Sequence, residues 1–147
     1  MRVARVLGRD PGRAVLMMRM ACGYVAVSVL ARLTSLPRAF AAISPSRRNV
    51  APDERRIERT VDALNTLLAA GIPGVHPQCW RRAAVLHRFL RFEGVDTAIV
   101  FGVAPQASAS VEAHAWLERE GRPFAEAENI SGYRRVFQFP RQEDRRI

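Results

Sequence analysis

Apolar residues recur at helical spacing up to Gly94 and with a period of two beyond it. The first apolar stretch predicts a helix over about residues 12–35. Pro37 should stop it, because proline lacks a backbone donor and clashes with the preceding turn. Residues 44–52 are rich in turn formers and read as a linker. A second helix is expected from Pro52 and Asp53, with Ile57, Val61, Leu64 and Leu68 on one face and Gly71 just past its end. The bend over residues 72–77 then delivers Cys79 to the start of a third helix. There Cys79, Ala83, Leu86 and Leu90 share a face, and Gly94 is the stop.

Beyond Gly94 the pattern changes to that of strands. Residues 95–103 predict one, followed by a loop of small residues over 104–110. Val111, Ala113, Ala115 and Leu117 alternate with Glu112, His114, Trp116 and Glu118, so the next strand has two distinct faces. A turn at residues 119–121, a returning strand over 122–128, and a last strand containing Tyr133, Val136, Phe137 and Phe139 complete the pattern. Helices first and an antiparallel sheet afterwards predict an α+β domain. Residues 1–12 read as a basic arm. The chain divides into a helical extension with its linker, 1–50, and a principal domain, 51–147.

Composition narrows the function classes. The formal net charge is +9, and all 23 basic residues are arginine. Such a surface attracts anionic partners, but no aromatic interleaving or nucleic-acid motif accompanies it, so a nucleic-acid partner is not expected. Within the first apolar stretch Arg19 and Arg32 leave residues 20–31 as the longest uncharged run, short of the ~20 residues a membrane span needs. No span is expected. Cys22 and Cys79 form no disulfide framework, which suits the cytoplasm, and Cys22 reads as a small buried thiol.

Cys79, His114 and Glu126 are the candidate chemistry. A thiol at a helix N-terminus gains from the positive end of the helix dipole, and a nearby imidazolium stabilises its thiolate further. No glycine or proline falls between Trp80 and Glu93, which places the N-terminus at Cys79. His114 shares a sheet face with Trp116, whose ring can shield it from water. Glu126 depends on the hairpin. A two-residue loop, Glu120-Gly121, pairs position 114 with 127 and turns Glu126 to the wrong face. A three-residue loop, Arg119-Glu120-Gly121, pairs 114 with 126, and glycine suits its left-handed third position. The three-residue loop is therefore expected, with Glu126 orienting His114, Glu128 as the rival acid and Glu112 as a weaker one. His76 and Cys79 have a spacing a metal could use, but no second pair matches it, so no metal is assigned. His87 reads as a surface residue, and Gln78 receives no role.

With these residues in place, the chain resembles the transglutaminase-like cysteine peptidases that mature lasso peptides, and in particular their free-standing leader peptidases. The resemblance rests on Cys79 with the run to Gly94, on Val100-Phe-Gly-Val103, on Ala113-His-Ala-Trp-Leu-Glu118 and on Gly121-Arg-Pro. It implies a transglutaminase-like, papain-like fold with the catalytic cysteine at a helix N-terminus. Cys79 and His114 match the family's cysteine and histidine. The third member, usually aspartate, lies twelve residues after the histidine, at Glu126. The resemblance further implies cleavage of a ribosomally made precursor peptide without any cofactor, a separate leader-binding protein that delivers it, and an ATP-dependent cyclase acting afterwards. Two other readings remain open: crosslinking or deamidation through the same thioester, and a non-catalytic basic module that binds peptides.

Overall fold

The computed structural model describes residues 10–73, 75, 77–105 and 111–141. Helix α1 spans Pro11–Leu33. Asp10 starts it by accepting a hydrogen bond from the Arg13 amide at 3.1 Å, and Pro11 occupies a first-turn position where a missing N–H costs nothing. Pro37 does not open a linker, as expected from the sequence. It falls instead in the first turn of a further helix, α2 (Leu36–Ile43), where proline is tolerated.

Helix α3 (Glu54–Ala69) is capped by Asp53, which accepts from the Arg55 amide at 3.0 Å. Helix α4 (Cys79–Phe92) ends in a Schellman closure, with the Gly94 amide donating to the Arg91 carbonyl and the Val95 amide to that of Leu90. Gly94 has a φ of 77°, and a Cβ there would collide with the Val50 carbonyl oxygen, so the position admits only glycine.

The sheet contains β1 (Thr97–Pro105), β2 (Val111–Arg119), β3 (Arg122–Phe124) and β4 (Arg134–Phe139) in the order β3-β2-β1-β4, with antiparallel neighbours. The helices cover one face, where Ile99 and Leu117 join Phe40, Leu64, Leu86 and Leu90 in the main core. Ala98, Val100 and Trp116 occupy the opposite face, under Ile130 and Tyr133 from the segment that leads into β4.

Both sides of residue 50 feed the main core: Met20, Tyr24 and Phe40 before it, and Leu64, Leu86 and Ile99 after it. By length and composition α1 could cross a membrane, yet here its Met17, Met20, Tyr24 and Val27 are buried. Each such side chain contributes about 1.5–3 kcal/mol. The surface pairs Arg13–Asp62 and Arg59–Asp10, which also tie α1 and its cap to α3, contribute at most about 1 kcal/mol each. Apolar burial therefore holds α1 in place.

Three local expectations are corrected. Cys22 is exposed, because it falls outside the inward stripe of α1. His87 is fully buried, with Nδ1 2.9 Å from Thr97 Oγ1. The hairpin loop has two residues, since Arg119 pairs with Arg122 and Leu117 with Phe124. Glu120 and Gly121 both have positive φ, 54° and 76°, the combination whose twist matches flanking strands. Glu120 thus adopts a backbone conformation that non-glycine residues seldom take. The returning strand also stops at Phe124 instead of continuing to 128.

Candidate active site

Cys79 is the first residue of α4 and is partly exposed. The preceding bend is closed by the Val75 amide donating to the Ile72 carbonyl, and Val75 is buried beneath it. Gln78 is extended and its side chain makes no cap. Its backbone N–H donates instead to Tyr24 Oη at 3.0 Å, so the inward face of α1 fixes the residue immediately before the thiol.

His114 lies in the middle of β2 and is nearly buried. It pairs with Gly102 on β1. A Cβ at residue 102 would lie 2.7 Å from the Trp116 ring and 3.0 Å from Tyr133 Cβ, so the glycine makes room for both. Those two rings wall the imidazole. Trp116 lies nearly parallel to it, with centroids 6.2 Å apart, and Tyr133 is tilted at 5.5 Å. Trp116 is itself held, because its Nε1–H donates to Glu118 Oε1 at 3.0 Å. The Glu118 carboxylate is buried but paired, with Arg135 at 2.7 Å, so its charge is compensated.

A carboxylate stands beside each imidazole nitrogen. Glu126 Oε2 is 3.4 Å from Nε2, and Glu128 Oε2 is 3.5 Å from Nδ1. Both contacts lie within ion-pair range, although Nε2 makes no hydrogen bond among the described residues. The two acids differ in their surroundings. Glu126 has a side chain only 9% exposed, and its Oε1 accepts from the Ala127 and Glu128 amides at 3.0 and 3.2 Å. Glu128 is 62% exposed. Glu126 is the better-fixed partner, since little entropy remains to be lost on orienting it. Glu128 is not one strand pair further away, as an extended returning strand would have placed it.

Glu126 reaches His114 by a route other than the expected one. In the two-residue hairpin a continuing strand would turn it away. The strand ends at Phe124, and Ala125 adopts a φ of 53°, which redirects the chain. Arg82, one turn along α4 from Cys79, secures this kink by donating from Nη2 to the Ala125 carbonyl at 2.7 Å. The same guanidinium donates to Asn65 Oδ1 at 3.2–3.3 Å. It therefore links the thiol-bearing helix, α3 and the acid-bearing segment. The sequence gave one signal for Arg82, its i+3 spacing from Cys79. Tyr24 and Tyr133 had none.

Tyr133 also donates to the Glu112 carboxylate, which is the first cause of a phenol pushed up to about 12. Burial and the charges of Glu112, Glu128 and Cys79 act in the same direction. Burial likewise raises Tyr24. Both phenols remain neutral at the pH values where thiols and imidazoles exchange protons.

Cys79, His114, Glu126 and Glu128 line one cleft of about 380 Å³, together with Leu68, Pro77, Gln78 and Arg82. Two larger hollows, about 480 and 530 Å³, lie among the helices and contain none of the four. Among the described residues no group of three or more histidines, cysteines and carboxylates could hold a metal ion. His76 lies outside the described residues. A thiol, an imidazole and a fixed carboxylate opening on one cleft can take up and return a proton beside a nucleophile.

No curated protein and no solved structure matches the chain significantly. A family model does match, over residues 17–138, from the inward face of α1 to the end of β4. The chain belongs to the transglutaminase-like superfamily, whose members typically carry out cysteine-based acyl transfer or peptide hydrolysis.

Proposed function

We propose that this protein is a cysteine endopeptidase that removes the leader from a ribosomally made precursor during lasso-peptide maturation in the cytoplasm. The observation that carries the reading is the placement of Glu126 against His114 Nε2, in a cleft that also contains Cys79. In this reading His114 accepts the Cys79 proton and the thiolate attacks the scissile carbonyl. The imidazolium then protonates the departing amine, and water hydrolyses the thioester with His114 again as base. Glu126 holds the imidazole and stabilises its charged form. The residues supply all the proton transfers, so the reaction needs no cofactor. The resemblance of the Cys79–Gly94 and Ala113–Glu118 segments to leader peptidases supports the substrate class. It also supports a separate leader-binding protein as partner and an ATP-dependent cyclase as the next activity.

The test is cleavage of a precursor peptide by the purified protein together with the leader-binding partner. Wild type should release a shortened peptide of the mass expected for leader loss, and Cys79→Ala and His114→Ala should not. Full cleavage by either variant overturns the assignment. A product of unshortened length with an altered side-chain mass would indicate crosslinking or deamidation instead.

A further inference from the structure

Helix α1 has a second apolar face. Val15, Met18, Cys22, Val25, Val29 and Leu33 follow one another at intervals of three and four residues, and all are exposed; Met18 and Leu33 reach 70% and 76%. The buried stripe of Met17, Met20, Tyr24 and Val27 accounts for the attachment of α1 to the core and leaves this seam uncovered. At 1.5 Å per residue the seam runs for about 27 Å. Beside it lies a hollow of about 530 Å³, with Met18, Cys22, Gly23 and Ala26 on one wall and Ile43 and Phe89 on the other. Exposed apolar surface of this extent is seldom left bare on a soluble protein.

We propose that the seam and its hollow dock an amphipathic helix of a partner protein that presents acidic residues along its flanks. Three observations select this occupant. First, the three-and-four spacing is that of a helix–helix seam, in which side chains of one helix enter gaps between those of the other. Second, Gly23 and Ala26 in the hollow let a second helix backbone come close, whereas a flat lipid surface would meet the crest and leave the hollow unfilled. Third, α1 and α2 contain no acidic residue, and Arg19, Arg32 and Arg38 lie along them. Arg19 rests over the Phe89 ring and Arg88 donates to the Ile43 carbonyl, so neither is occupied by a carboxylate there. A second copy of this chain would set arginine against arginine, while glutamates flanking a partner's apolar stripe would complement them. The inference does not depend on which acyl-transfer reaction the cleft performs.

The probe is a fluorescent helical peptide with leucine at both core heptad positions and glutamate at the flanking ones, titrated against the whole protein. It should bind, with affinity falling as salt is raised, and a version with lysine flanks should bind at least tenfold more weakly. Val25→Asp should abolish binding while circular dichroism and thermal denaturation stay unchanged. Cys22 gives a second readout on the wild-type protein: a saturating amount of the glutamate peptide should slow its maleimide alkylation at least fivefold, as located by peptide mass spectrometry. Equal binding of the two peptides, no protection of Cys22, or no binding at all overturns the proposal. So does concentration-dependent dimerisation or adsorption to phosphatidylglycerol vesicles that buries Cys22 when the peptide does not.

Discussion

His114 Nε2 lies 3.4 Å from Glu126 Oε2 although the hairpin register would place residue 127, not 126, opposite His114. The contact exists because the chain leaves the strand after Phe124 and turns at Ala125. With Glu128 near Nδ1, the imidazole sits between two carboxylates of unequal freedom. If His114 is the proton carrier of the proposed peptidase, the fixed acid should matter more than the mobile one. Glu126→Gln should keep the fold and lower kcat by roughly 100-fold or more, because a neutral amide stabilises imidazolium poorly. Glu128→Gln should change kcat by no more than about threefold, as expected of an exposed contact screened by water. Steady-state cleavage rates for the two variants decide the matter, and a larger loss in Glu128→Gln reverses the assignment.

The kink at Ala125 gives a prediction about backbone conformation. A β-branched side chain at positive φ is strained by about 1–2 kcal/mol. Ala125→Val should therefore lower the denaturation midpoint and reduce turnover, by loosening Glu126. Ala125→Gly removes the Cβ conflict and should leave both close to wild type. Chemical denaturation and cleavage assays on the pair will show whether the left-handed residue carries the placement. A fully active, fully stable Ala125→Val would rule that out.

Gly102 makes a packing prediction. An alanine there places its methyl 2.7 Å from the Trp116 ring. Overpacking of this kind costs about 1–3 kcal/mol, and the ring that must move is the one stacked on His114. Gly102→Ala should lower stability by that amount and reduce activity further than a matched destabilisation elsewhere. Gly71, with open space around its missing Cβ, is a poor control because its φ of 65° strains any side chain. Gly132 has open space and no such restriction, so Gly132→Ala is the proper comparison.

Tyr133 makes a prediction about alkaline pH. Its hydrogen bond to Glu112 favours the neutral phenol and moves it from the usual 10 up to about 12. A folded-state value above the unfolded one contributes stability that is fully present below pH 10. That contribution is lost as pH rises through 12. Absorbance at 295 nm should show little tyrosinate at pH 10 while the protein is folded, since burial raises Tyr24 as well. Glu112→Gln should bring the Tyr133 transition down towards 10, and an unchanged transition would show that the hydrogen bond is not its cause.

The parts of the site legible in the sequence were those with local signals. A turn-rich bend before an unbroken helical run located the start of α4 at Cys79, and strict alternation put His114 and Trp116 on one sheet face. What was missed depends on contacts between distant segments or on rare backbone conformations. Ala125 at positive φ has no composition signal, and Glu120 at φ 54° is the reason the loop has two residues where glycine alone suggested three. Pro37 is compatible with either a helix end or a helix first turn, and only the burial of Phe40 and Ile43 decides between them. His87 is surrounded by arginines in sequence, yet its helix turns it inward to Thr97, ten residues away.

The hydrogen bond between Gln78 and Tyr24 has a consequence for how the protein comes into being. It spans 54 positions, so its two ends must be brought together against the entropy of a long intervening loop before it forms. Helix α4 can form locally much sooner. A newly made chain therefore passes through a stage in which the thiol is present but the residue before it is untethered, and Cys79 settles only when the earliest-synthesised helix has docked. Alkylation of Cys79 timed against the growth of helical circular dichroism during refolding should then lag behind it. The protein would carry its own delay, remaining chemically unfinished until the fold is closed.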